Sequence, residues 1–215
     1  MDIEKIYSIL ETVVKKYNNP MVESIRDEYN NDIFKILVAT LLSARTKDEL
    51  TYKVLKEKFF TKIKQLEDLK TISITELENL IYPIGFYKNK AKFLKKLPIV
   101  LEKEFNNIIP NTIEELIKLP GVGRKTANLV VSIGFNKPAI CVDTHVHRIT
   151  NRIGIVNTKN PLETEMKLRE KLPIKLWNKT NFIFVLYGKN LCYPINPKCS
   201  ECKIKEYCQY YKNRS

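Results

Sequence analysis

Apolar residues recur at helical spacing along almost the whole chain. Ile3, Ile6, Ile9, Leu10, Val13 and Val14 fall on one face of a helix over 2–17, which Asn18-Asn19-Pro20 ends. Asp32 stands at a cap position. Ile33-Phe34-Lys35-Ile36-Leu37-Val38-Ala39-Thr40-Leu41-Leu42 follows and is apolar on nearly every side, the pattern of a central, buried helix. After a short loop, Ser43-Ala44-Arg45, the box Thr46-Lys47-Asp48-Glu49 opens a helix through Leu50, Val54, Leu55 and Phe59. Short helices are predicted over 62–70 and 75–81, the second capped by Ser73 or Thr75. Tyr82-Pro83-Ile84-Gly85-Phe86-Tyr87 is a turn, and 88–105 is a basic helix with Ala91, Leu94 and Leu97 inward. Thr112 and Glu115 form another capping box, predicting a helix over 112–119 that Pro120 and Gly121 stop; a second runs from Arg124 to about residue 135. The apolar run Ala139-Ile140-Cys141-Val142 leads into a helix holding Val146, Ile149 and Ile153, with Asp143 or Thr144 as cap. Helices over 161–172 and 177–187 complete the pattern. Nothing alternates for more than about five residues, so strands are not expected and the class is all-α.

Charge adds a candidate partner. Lys and Arg number 37 against 24 acids, a net charge of +13. Such an excess suits a polyanion, although plain solubility or compositional drift in a lysine-rich chain produces it too. An apolar fraction of 44% excludes a disordered chain. No apolar run approaches the ~20 residues of a membrane span. The charged, helical start Met1-Asp2-Ile3-Glu4-Lys5 does not read as a signal peptide. These features place the chain in a reducing cytoplasm, where five cysteines are not expected to form disulfides.

The helix pair flanking residue 121 holds the first chemistry. Leu119-Pro120-Gly121-Val122-Gly123-Arg124-Lys125-Thr126-Ala127 describes helix, tight hairpin, helix, over about 112–135. Bare N–H groups at the second helix's start carry partial positive charge and accept an anion, most simply a phosphate. Arg124 and Lys125 add full charges there; the alternative is a hairpin whose glycines serve packing alone. A lysine amine also forms Schiff bases when it is unprotonated, which a helix N-terminus and Arg124 favour. It then needs a carboxylate for proton transfer. The helix outward and the extended segment back span similar lengths, roughly 16–20 Å, so Asp143 can return opposite Lys125. The competing assignment makes Lys125 a phosphate contact and Asp143 a helix cap.

Four of the five cysteines crowd the chain's end as Cys192, Cys199, Cys202 and Cys208, spaced C-x6-C-x2-C-x5-C. Zinc sites usually pair two tight C-x2-C knuckles, and only one occurs here. The uneven loops suit a [4Fe–4S] cube with one cysteine per iron better than zinc. Lys198, Lys203, Lys205 and Lys212 sit in or beside these loops, so a bound centre also fixes a basic surface; a purely structural staple is the plainer reading. Cys141, between Ile140 and Val142, reads as an ordinary buried thiol.

Together the hairpin motif, Val142-Asp143-Thr144-His145-Val146 and the cysteine tail closely resemble the endonuclease III family of DNA glycosylases, in the helix-hairpin-helix superfamily. The resemblance implies a bilobal all-α protein. One lobe is a six-helix barrel over 27–136; the other joins 1–26 to 137–215 and holds a [4Fe–4S] cluster. It implies a monomer acting on double-stranded DNA with damaged bases or abasic sites, nucleoid-associated and away from membranes. The damaged nucleotide is flipped out for the chemistry. Lys125 attacks the sugar C1′ to expel an oxidised pyrimidine, and β-elimination cuts 3′ to the abasic site. Asp143 assists, while Gly121, Val122, Gly123 and Arg124 grip DNA. Two positions depart from the bacterial pattern: Arg45 replaces a glutamine that fills the gap left by the flipped base, and Phe86 replaces an aliphatic wedge. His145 is given a phosphate contact or a capping role, and His147 an ordinary surface place. Rival readings are a mismatch-specific glycosylase without lyase activity, which Lys125 opposes, and a non-catalytic DNA-binding module.

Overall fold

The computed structural model describes residues 2–213. The chain divides into two compact units, Met21–Asn136 and the pair of segments Met1–Pro20 with Lys137–Ser215. Among the described residues there is no strand, and no helix is long and apolar enough to cross a membrane.

The unit over Met21–Asn136 is built around one helix. Taking the helices in chain order, α1 (Ile3–Val14) belongs to the other unit, α2 spans Met21–Glu28 and α3 spans Ile33–Ser43. Asp32 caps α3, accepting from the Lys35 N–H at 3.1 Å. Every α3 residue from Phe34 to Leu42 except Lys35 is buried, the outcome its all-round apolar pattern predicts. Around it pack α2, α4 (Asp48–Val54, extended by a π-helical turn, Leu55–Phe59), α7 (Tyr87–Phe105) and α9 (Arg124–Leu129, continued by a π-helical turn, Val130–Gly134). A single helical turn, Phe60–Lys62, follows the π-helical end of α4, and the short helices α5 (Asp68–Thr71), α6 (Ile74–Ile81) and α8 (Ile113–Leu116) complete the unit.

Three sequence expectations change here. The helix over 62–70 shrinks to Asp68–Thr71, because Asp68 Oδ2 accepts from the N–H groups of Lys64 and Gln65 and holds that stretch as a turn. Thr46 does not cap α4. The N-cap is Lys47, without a side-chain bond, and the Thr46 hydroxyl instead accepts from the Gly85 N–H at 3.1 Å. The first domain boundary falls at residue 20 rather than 26, since α2 is a helix of its own that packs on α3.

The other unit gathers α1 (Ile3–Val14), α10 (Thr144–Ile153), α11 (Pro161–Lys171), α12 (Trp177–Asn190) and the single turn α13 (Gln209–Lys212). Ile6, Tyr7, Leu10 and Val14 of α1 meet Ile149, Ile153, Ile183, Phe184 and Tyr187 in one core. Tyr7 packs edge-on to Phe184, with centroids 5.5 Å apart. Its buried hydroxyl pairs with Thr180 Oγ1 at 2.9 Å, so the aromatic enters the core without an orphaned polar atom.

Candidate functional site

The hairpin begins at Thr112, whose hydroxyl accepts from the Glu115 N–H and donates to Glu115 Oε2 at 2.6 Å. Regular helix lasts only through Leu116, after which Lys118 and Leu119 bond back three residues and the turn tightens. Gly121 sits at φ +75, and a Cβ there would lie 2.4 Å from the Phe93 ring, so both conformation and packing require glycine. Gly123 is different. Its φ is −94, open to any residue, and a Cβ would meet nothing within 4 Å. Its missing side chain leaves free space in front of the backbone rather than relieving a clash. Neither the Gly121 nor the Gly123 N–H donates to another described residue. Val122 is buried and gives its N–H to Leu119 O at 3.1 Å, so it anchors the hairpin from within. Arg124 and Lys125 open α9, Arg124 half-buried and Lys125 exposed. A short helix start with open N–H groups, a cation and an exposed amine suits a phosphate and a nucleophile side by side.

Two more predicted residues stand together in the same unit. Arg45 is exposed at φ +56 and Phe86 is 58% exposed at φ +59. The Arg45 guanidinium carbon lies 5.2 Å from the centre of the Phe86 ring, a cation–π distance. Behind them is Lys90, only 5% exposed, whose ammonium donates to Leu42 O at 2.8 Å, Ala44 O at 2.6 Å and Thr46 Oγ1 at 3.4 Å. Burial pulls its pKa down to about 8. Its sequence position carries a signal of this burial, because Lys90 occupies the inward stripe of α7 with Leu94, Leu97 and Leu101.

Asp143 and His145 belong to the other unit. Asp143 caps α10, its Oδ1 accepting from the His145 and Val146 N–H groups, each at 2.9 Å. The cap takes up one carboxylate oxygen and leaves Oδ2 out of it. His145 is half-buried and lies with Nδ1 3.1 Å from the Arg148 guanidinium, so that nitrogen accepts and the proton of the neutral ring belongs on Nε2. Gly188 makes room for it, since a Cβ there would sit 2.3 Å from His145 Nδ1. His147 is not a plain surface residue: its Nδ1 pairs with Thr164 Oγ1 at 2.7 Å in a half-buried polar cluster with Asn151 and Thr158.

Cys192, Cys199, Cys202 and Cys208 line one small, partly open cleft, and none forms a disulfide. Among the described residues no three Cys, His, Asp or Glu side chains converge closely enough to hold a single metal ion. The thiols instead stand around the wall of an otherwise mostly apolar space, together with Arg152, Lys198 and Lys205. Arg152 donates to Cys192 Sγ at 3.4 Å, and the Tyr187 hydroxyl lies 3.0 Å from Cys202 Sγ. Burial raises the thiol pKa of Cys202 and of Cys208. A donor set of four spread thiols beside three cations fits a thiolate-bound cluster, one sulfur per iron, better than one tetrahedral ion.

A helical hairpin with open N–H groups and an exposed amine at its second helix, in a chain of this charge, has the build of a protein that grips the phosphates of a polyanion. Residues 38–174 match the HhH-GPD superfamily base excision DNA repair protein family. Endonuclease III of Thermotoga maritima is 43% identical over 189 residues, which cover 88% of each chain. Among solved structures, a trapped endonuclease III–DNA covalent intermediate, the estranged-adenine complex, is 36% identical. It matches at a TM-score of 0.79 over 90% of this chain and 94% of its own. A non-covalent endonuclease III–DNA complex matches at 0.81, with 34% identity over 100% and 98%. The chain belongs to the endonuclease III family, and it is a bifunctional enzyme of base excision repair, a DNA glycosylase with abasic-site lyase activity.

Proposed function

We propose that Lys125 is the nucleophile and that the substrates are oxidised pyrimidines and abasic sites in duplex DNA. The Nζ lone pair attacks the sugar C1′ and the damaged base leaves with the glycosidic electrons. Loss of a proton from nitrogen and opening of the sugar ring yield an imine between Lys125 and C1′. The imine acidifies the C2′ hydrogen. Removing that proton expels the 3′ phosphate, which cuts the strand 3′ to the site. Asp143, through the oxygen its helix cap leaves over, takes the amine's proton and stabilises the cationic intermediate. The N–H groups of Gly121 and Gly123 and the Arg124 guanidinium hold backbone phosphate; Val122 only anchors the hairpin. Arg45 and Phe86 enter the stack beside the flipped nucleotide, and His145, through Nε2–H, contacts a phosphate. Lys125 and Asp143 belong to the same chain, so no second copy is needed to supply either; the enzyme acts as a monomer, associated with the nucleoid.

Cys192, Cys199, Cys202 and Cys208 are the residues that would hold a [4Fe–4S] cluster, whose iron–thiolate bonds tie together the end of the chain. Purified protein is expected to contain iron and sulfide in equal amounts and to absorb broadly in the visible. Zinc in stoichiometric amount would overturn this assignment.

One observation carries the catalytic reading: an exposed amine, Lys125, sits one residue into a helix preceded by two glycines whose N–H groups are left open, with empty space in front of Gly123. The test is borohydride trapping on abasic-site DNA. Wild type is expected to form a covalent adduct, and Lys125→Gln to form none while still binding the duplex. An adduct of undiminished yield in Lys125→Gln would remove that residue from the nucleophile's role.

A further inference from the structure

A lysine buried with no acid beside it needs an explanation. Burial alone moves the Lys90 pKa, and no carboxylate contributes. Replacing a buried charge by an apolar side chain of similar volume is often neutral or stabilising, so this lysine is poor evidence of stability for its own sake. Its three donors are matched instead by three acceptors of one short loop: Leu42 O and Ala44 O at the end of α3, and Thr46 Oγ1. The negative end of the α3 dipole favours a cation there.

Thr46 passes the restraint on. Its Oγ1 also accepts from the Gly85 N–H at 3.1 Å, in the turn before α7. The two backbones touch at that point, since a Cβ on Gly85 would lie 2.8 Å from Arg45 O. Each side of this joint carries one exposed residue in the left-handed region, Arg45 and Phe86, and the Arg45 guanidinium lies over the Phe86 ring. Two side-chain-bearing residues in that conformation persist only where the surroundings over-determine them.

We propose that Lys90 is a positioning residue for DNA recognition: through Leu42, Ala44 and Thr46 it joins the Arg45 loop and the Phe86 turn into one rigid wedge, its cation–π pair formed before DNA arrives. The wedge presents a flat cation–aromatic pair, suited to stack in the gap of an extruded nucleotide and to donate to acceptor atoms of the orphaned base. Preorganisation lowers the ordering cost of insertion, so it favours gapped or abasic duplex over intact duplex. The inference rests on the reading of Arg45 and Phe86 as DNA-inserting residues.

The matched control is on the same helix. Lys95 donates to Leu69 O, Lys70 O and Ile72 O at 3.0, 2.9 and 2.6 Å, a similar three-acceptor cap that touches neither Arg45 nor Phe86. The probe is a duplex with a tetrahydrofuran abasic analogue and 2-aminopurine beside it, whose fluorescence rises when a side chain unstacks it. Lys90→Met is expected to weaken binding to this duplex by about tenfold and to reduce the fluorescence rise, with binding to intact duplex within about twofold of wild type. Lys95→Met is expected to do neither, whatever its unfolding midpoint. Thr46→Val, which cuts the same link without removing a charge, should copy Lys90→Met, and Thr46→Ser should restore wild-type behaviour; this pair keeps the test sharp if Lys90→Met folds poorly. In an Arg45→Ala, Phe86→Ala background Lys90→Met should add nothing further. A full effect of Lys90→Met in that background, or equal effects of Lys90→Met and Lys95→Met on abasic binding, would overturn the positioning role. If Arg45→Ala, Phe86→Ala itself binds and unstacks like wild type, the wedge reading fails first, and the proposal with it.

Discussion

Single residues in this chain do two things at once, and the chemistry separates by choosing the substitution. Asp143 is a helix cap and the proposed acid–base partner. Asparagine caps about as well as aspartate, whereas alanine loses the cap at a cost of about 1 kcal/mol. Asp143→Asn is therefore expected to unfold in urea within about 0.5 kcal/mol of wild type. Its single-turnover strand cleavage should fall by about 100-fold or more, the scale of a lost general acid–base. Equal loss of stability and activity would reduce Asp143 to the cap. The lysines carry a similar lesson: Lys90 and Lys95 count towards the net charge but direct their ammonium groups at carbonyl oxygens of the protein. Not every cation on the basic helix is available to a phosphate.

At the scale of the element, the hairpin's two glycines have different physical reasons. Gly121→Ala must place a Cβ at φ +75 and against Phe93, and should destabilise the fold by about 1–3 kcal/mol. Gly123→Ala has a permitted backbone and empty space, so its stability should stay within about 0.5 kcal/mol. If its N–H holds phosphate as proposed, it should nevertheless bind duplex DNA more weakly, because the new methyl would stand in the path of that contact. Urea melts paired with a binding titration check both; unchanged DNA affinity in Gly123→Ala would take the hairpin backbone out of the interface. The capping signatures at Asp32, Ser73, Thr112 and Asp143 all form, as local chemistry within one turn predicts. Thr46 breaks the rule because a partner 39 residues away, Gly85, claims its hydroxyl.

At the scale of the whole molecule, charge and burial make two forecasts. With 37 basic residues against 24 acids, affinity for DNA should fall steeply with added salt as phosphate contacts release counterions. Stability carries a pH signature from Glu23, buried in α2, whose pKa rises from 4.5 to about 7. Burial is the main cause; Asp48 and Asp27 add to it, and Arg26 opposes it. A raised carboxyl binds its proton more tightly in the folded state, so its contribution is complete below the unfolded pKa and is lost as pH climbs from 4.5 through 7. Glu23→Gln, neutral throughout, should match wild type near pH 4.5 and exceed it by about 3 kcal/mol at pH 8. Urea unfolding at the two pH values measures the difference; a gap that does not change with pH would mean that folding does not raise the Glu23 pKa.

The all-α class, the buried α3, the hairpin, the amine and the four terminal thiols were legible in the sequence, because periodicity, capping and close cysteine spacing are local in the chain. Helix α2 escaped that reading: with Glu23, Arg26, Asp27 and Glu28 among eight residues, its apolar face is thin, and it is held by packing on α3. Lys90 was hidden for the opposite reason, as a charged residue in an inward stripe whose partners lie more than 40 residues away. Sequence alone determined which groups the chain owns and which helices carry them. Only the tertiary structure decided that Val122 turns inward, that Gly123 fronts open space, and that Arg45 meets Phe86. Burial and the pairing of polar groups depend on neighbours that the chain brings together from far apart.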